Sequence, residues 1–82
     1  MSYRVELRGL ALTKMKDFPT EALTALVARA ADLVREPWDA RVARPGTADF
    51  RQTTFGDGMG ILWFHLDATA ELIEIYDLIW AG

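Results

Sequence analysis

The chain has no cysteine. Disulfides, thiolate nucleophiles and Cys-based zinc sites are therefore excluded, and nothing in the composition points to an oxidising compartment. It has one histidine, His65, so no histidine pair is present to hold a metal. Positive charge is also missing from one end. All nine Lys and Arg lie at or before Arg51, alongside seven acids, whereas residues 52–82 carry five acids and no Lys or Arg. Any anion site must draw on the first 51 residues, with His65 as the exception. The formal net charge of -3 argues against broad, non-specific nucleic-acid binding. The acid-rich end reads either as a solvated face or as a face for a basic protein partner. No apolar run approaches the roughly 20 residues of a membrane span. No apolar stretch follows the first Arg as in a secretory leader. The expectation is a cytoplasmic protein that does not enter a membrane.

What is present suits one small domain, residues 1–82. Half the residues are hydrophobic (51%), enough to fold rather than stay disordered. The Tyr3-Arg4-Val5-Glu6-Leu7-Arg8 segment alternates apolar and charged residues and reads as a half-exposed strand, broken by Gly9. Ala11, Met15 and Phe18 recur at helical spacing in a short helix over residues 10–18, which Pro19 stops. A longer helix follows, with Thr20 as its expected cap and an apolar stripe of Leu23, Leu26, Val27, Ala30, Leu33 and Val34. Pro37 ends it. Residues 37–49, with Pro37, Pro45 and Gly46, read as a long connection whose only patterned piece is Arg41 to Arg44.

Three strands complete the pattern. Phe50 to Phe55 is the first. The glycine-rich stretch Gly56 to Gly60 then reads as a hairpin turn, since it lacks the Lys-Ser/Thr and following helix of a phosphate loop. Ile61 to Asp67 and Leu72 to Trp80 form a second hairpin with its loop near Asp67 to Glu71. On a regular last strand either face would bury an acid, Glu74 or Asp77, unless the strand is bulged. The predicted class is α+β: a small antiparallel sheet in the order β-α-α-β-β-β, with a two-helix hairpin on one face.

Chemistry-bearing residues are few. Glu71 and Glu74 fall on opposite faces of a strand, so they are no ready carboxylate pair. His65 is the one side chain whose ordinary pKa suits proton transfer near neutrality, although an isolated strand histidine also serves structural roles. Arg51 lies on a central strand, where a guanidinium can clamp phosphate bidentately. Arg41 and Arg44 precede it as the basic part of a possible anion-binding rim; solvated loop arginines are the plain alternative.

Taken in order, these segments resemble the RelE/ParE superfamily of toxins from type II toxin–antitoxin systems. The resemblance spans nearly the whole chain. It rests on Tyr3-Arg4-Val5-Glu6-Leu7, Ala11, Met15, Phe18-Pro19, Leu33, Pro37, Phe50-Arg51, Phe55-Gly56-Asp57 and Ile61 to Asp67. It implies a RelE/ParE-like fold and an antitoxin partner, with a homodimer as a further option for a small sheet with free edges. For RelE-like members it implies metal-independent cleavage of mRNA on the ribosome; for ParE-like members, action on DNA gyrase. On the endoribonuclease reading, Arg51 binds phosphate, Arg41 and Arg44 steer RNA, His65 is the general base, and no cofactor is required. The chain departs from the family pattern. No Arg follows Gly56-Asp57, and the ending Leu78-Ile79-Trp80-Ala81-Gly82 lacks the family's His-Arg and terminal Tyr. Those departures motivate the alternative, a non-catalytic family member acting through protein contacts.

Overall fold

The computed structural model describes residues 2–82. In chain order the elements are β1 (Arg4–Leu7), α1 (Leu10–Met15), α2 (Thr20–Arg35), β2 (Arg41–Arg44), β3 (Thr47–Phe55), β4 (Gly60–Asp67) and β5 (Leu72–Trp80). The strands form a single sheet, β1-β5-β4-β3-β2. β2 to β5 are a four-strand antiparallel meander, and β1 adds to β5 in parallel. Both helices lie on one face, α1 over β5 and α2 reaching β1 and β3. No helix among the described residues is long and apolar enough to cross a membrane.

Alternation sets the strand faces. Leu62, Phe64 and Leu66 of β4 are buried, while Ile61, Trp63 and His65 are only partly covered. The buried set meets Phe55, Ile73, Ile75 and Leu78 within the sheet layer, and Ala11, Leu26 and Leu33 from the helices. The Gly56–Gly60 turn behaves as expected: Gly56 and Gly58 take positive φ (62° and 87°), a region open to glycine without a Cβ clash.

β5 resolves the choice between burying Glu74 and burying Asp77. Trp63 pairs with Asp77 but Phe64 pairs with Ile75, so Tyr76 is an extra residue in a β-bulge. The bulge turns Ile73, Ile75 and Leu78 inward together, and neither acid is buried.

Three local expectations need correction. Residues 37–49 are a connection only as far as Ala40; two strands occupy most of the rest. Arg41–Arg44 is an edge strand paired to β3 through a two-residue turn at Pro45-Gly46, where Gly46 has φ 81°, the Pro-Gly geometry of a type II turn. Thr20 is the first helical residue rather than the cap. Pro19 holds the cap position, and its carbonyl accepts hydrogen bonds from the Ala22 and Leu23 amides. The inward face of α2 is also rotated from the expected stripe. Ala22, Leu26 and Leu33 are buried, Arg29 lies among them, and Val27 is 69% exposed. Arg29 reaches the sheet because its guanidinium donates to Thr53 Oγ1 (2.7 and 3.2 Å) and to the Asp39 carbonyl (2.8 Å).

Candidate functional site

With both helices on one face, the opposite face of the sheet is left open, and its side chains follow from register. His65 pairs with Phe50, and Arg51 pairs with Phe64. Paired residues share a face. Phe64 is fully buried under the helices, so Arg51 leaves the sheet on the helix-covered side and His65 on the open side.

The open side carries a compact cluster. The Phe50 ring lies 4.8 Å from the His65 ring and meets Tyr76 edge-on at 6.1 Å. The Arg44 guanidinium sits over Phe50 at 4.5 Å and approaches Tyr76 at 6.0 Å, within cation–π range. His65 Nε2 is 2.8 Å from Asp49 Oδ2, and Nδ1 is 3.3 Å from Glu74 Oε1. Beyond Glu74 the line continues to Arg8 (3.1 Å), and from Arg8 to Glu6 (2.8 Å). β1, β5, β4 and β3 are thereby joined by one row of alternating charge.

That row controls protonation. Partial burial of the imidazole lowers its pKa, but hydrogen bonds to Asp49 and then Glu74 outweigh it and leave His65 above its ordinary value. Asp49 is held below the usual carboxylate range, chiefly by its hydrogen bond to His65. An imidazole facing a carboxylate at each nitrogen satisfies both only when both nitrogens carry protons. Both ring nitrogens are thus placed to donate to a carboxylate, an arrangement that favours the charged imidazolium.

The other predicted residues separate. Arg51 donates through Nε to the Ala48 carbonyl (2.6 Å) and through Nη1 to the Ala40 carbonyl (2.9 Å), and it stacks over Trp38 at 5.0 Å. Its donors hold the α2–β2 corner in place. Arg41 pairs with Gln52 in the sheet and lines a separate cleft with Trp38, Arg29 and Thr53. Of the expected group, only Arg44 and His65 come together, and the ring of Phe50 bridges them. Tyr76 and Asp49 complete the cluster and were missed, since an aromatic on a bulge and an acid in an expected loop give no periodic signal. The acid-rich end is also less bare than its composition suggests: Glu74 is paired with Arg8, and Asp77 with Lys14 at 2.7 Å.

No protein-family model and no curated protein matches this sequence. Solved structures do. A chain of the RelBE2 toxin–antitoxin complex from Mycobacterium tuberculosis superposes with a TM-score of 0.83 at 23% identity, over 98% of this chain and 99% of that one. The fold is RelE-like. An Escherichia coli RelE variant with two arginines changed to alanine gives a TM-score of 0.81 at 12% identity in its free state. The same variant bound to an antitoxin RelBc peptide gives 0.82 at 14%. Each covers all of this chain and 86% of the E. coli chain. At these identities the likeness concerns the RelE-like fold itself; the open-face cluster stands on this chain's own geometry.

Proposed function

We propose that this chain is the toxin-like member of a toxin–antitoxin pair and that it acts, and is restrained, through protein–protein contacts. The RelE-like fold supports the first part. The dispersal of the arginines carries the second. Cleavage without a metal needs several cations around one phosphate to stabilise the charge that develops there. Here Arg51 is committed to two backbone carbonyls and Trp38, on the face opposite Arg44 and His65. Two carboxylates further reduce the appeal of the His65 cluster to a phosphate.

The test pairs growth with biochemistry. Induced expression is expected to arrest growth, and co-expression of a small adjacent reading frame to relieve it. The purified, folded chain is expected to leave mRNA intact on programmed ribosomes. Absence of both growth arrest and a neutralising partner would remove the toxin-like reading.

One observation favours a second reading, ribosome-dependent endoribonuclease. Arg44, Phe50, Tyr76 and His65 put a free cation, two stacking surfaces and a proton donor on one open face. On this reading the RNA 2′-hydroxyl attacks its own phosphate and gives its proton to water, the bond to the 5′-oxygen breaks as His65 protonates that oxygen, and Arg44 binds the phosphate. Cleavage by the parent that is lost in Arg44→Ala and His65→Gln, but kept in Arg41→Ala, would establish it.

A further inference from the structure

The open face of the sheet is less polar than the outer face of a two-layer fold usually is. β4 and β5 bring Ile61 opposite Ile79, and Trp63 follows on β4. Phe50 and Tyr76 meet on the same face. Ile79 is 43% exposed, and the other four are partly covered. Phe, Tyr and Trp are enriched where protein surfaces meet.

The charged row crosses this apolar band. Glu6, Glu74, His65 and Phe50 are successive partners across β1, β5, β4 and β3. Arg8 bridges Glu6 and Glu74 at 2.8 and 3.1 Å. Arg44 closes the far end, over the Phe50 ring. Asp49 joins through an irregularity in β3. Val42 pairs with Arg51 and Arg44 with Thr47, so the one residue between them on β2 faces three on β3. Asp49 is the middle of those three. Released from strict alternation, it reaches His65 at 2.8 Å. With His65 protonated, the order is Glu6, Arg8, Glu74, His65, Asp49, Arg44, which alternates in sign throughout. An alternating row of even length, read backwards, presents the opposite sign at every place.

We infer that a second copy of this chain packs on the open face, about a two-fold axis that runs along the strands between β4 and β5. That axis exchanges β4 with β5 and β1 with β3. It sets Glu74 against the partner's His65, Arg8 against the partner's Asp49 and Glu6 against the partner's Arg44. Ile61 meets the partner's Ile79. Only a second copy uses the reversal symmetry of the row in full, because a two-fold interface must match itself. Two sheets packed this way lie about 10 Å apart with their strands within about 30°. Five strands at about 4.8 Å spacing and about 30 Å in length offer roughly 700 Å² per copy. A standard interface takes about 800 Å² from each partner. Much of this face is charged, so the expected Kd is micromolar, and the dilute chain is a monomer with the face bare. The dimer covers Arg44, Phe50 and His65, so any ligand of that cluster competes with the second copy.

Sedimentation velocity on the full chain tests this. Across the micromolar range the mass is expected to move from 9.2 kDa towards twice that value. Arg8→Asp and Asp49→Arg each put two like-charge pairs into the dimer and should weaken it about tenfold or more. Mixed in equal amounts, the two variants should associate with each other about as well as the parent does with itself, since both pairs are then of opposite sign. The two side chains are 56% and 48% exposed, so circular dichroism of each variant should match the parent. Ile79→Glu, away from the row, should weaken the dimer by a similar factor. Val27→Glu, on the exposed side of α2, should leave it unchanged. A parent that stays monomeric at the highest concentration, or a mixture that associates no better than either variant alone, would overturn the inference. So would undiminished association of Ile79→Glu, or loss of the dimer in Val27→Glu. The assay holds only this chain, so its failure leaves the growth-arrest test to judge the toxin-like reading.

Discussion

His65 shows how one side chain can be read two ways until its neighbours are known. Alone on a strand it invites a role as general base. Between Asp49 and Glu74 it is held above its ordinary pKa of 6.5, so its charged form contributes to folding. The sign follows from linkage. A pKa raised by folding gives stability that is fully present below the unfolded value and lost as pH rises through the folded one. Chemical denaturation from pH 5.5 to 9 is therefore expected to show a falling midpoint above about pH 6.5. His65→Gln should flatten that slope. An unchanged slope in the variant would show that another group is responsible. On the acid side the lowered pKa values of Asp49 and Glu6 act in the opposite sense: their contribution is present above the unfolded carboxylate range and lost as pH falls through the folded values. Arg51 carries a different expectation. With two carbonyl acceptors and a stacked Trp38, Arg51→Ala should lower stability by about 1–2 kcal/mol, seen as a shift in urea midpoint. A variant as stable as the parent would return Arg51 to the pool of free phosphate binders.

Among the elements, the strength of the periodic signal decided how much was legible. β1 follows from alternation, β4 from its β-branched and aromatic composition, the glycine-rich hairpin from its turn residues, and α2 from its spacing. β2 was hidden because four residues with two arginines hold no alternation of their own; its clearest mark is Pro45-Gly46, a turn dipeptide. The rotated face of α2 was hidden because Arg29 reads as polar and yet is only 18% exposed. The separation of Arg51 from His65 was half legible. Parity within β3 divides Phe50 from Arg51, but the residue of β4 that lies across is set by the turn. β5 offers the sharpest test at this scale. Tyr76 is the one unpaired residue between Asp77 and Ile75, so deleting it would restore a regular strand with Ile73, Ile75 and Leu78 still inward. The deletion variant is expected to fold, losing the Phe50–Tyr76 contact worth about 0.5–1.5 kcal/mol, as measured by circular dichroism and denaturant midpoint. Collapse to an unfolded chain would show that the bulge is required for the sheet itself.

At the scale of the whole molecule, a two-layer fold of 82 residues has one core and one bare face, and the two should respond to mutation very differently. Domains of this size have total stabilities of about 4–12 kcal/mol. Phe64 is fully buried, flanked on its own face of the sheet by Ile75 of β5 and Arg51 of β3. Phe64→Ala removes about 3–5 kcal/mol through lost burial and the cavity left behind, much of the total. Ile79 lies on the last strand with 43% of its surface exposed, and Ile79→Ala should cost within about 0.5 kcal/mol. Urea denaturation of the two variants beside the parent is expected to leave Ile79→Ala nearly superimposable and Phe64→Ala partly or wholly unfolded without denaturant. If the chain works through a partner, ligand linkage adds a second consequence. A partner that binds only the folded form at 100 times its Kd adds about 2.7 kcal/mol, enough to offset most of the Phe64→Ala loss. Recovery of a cooperative transition in that variant on adding the neutralising partner is the expected result. A variant that stays unfolded with saturating partner, while the parent binds it, would show that the partner does not use the folded RelE-like domain as its template.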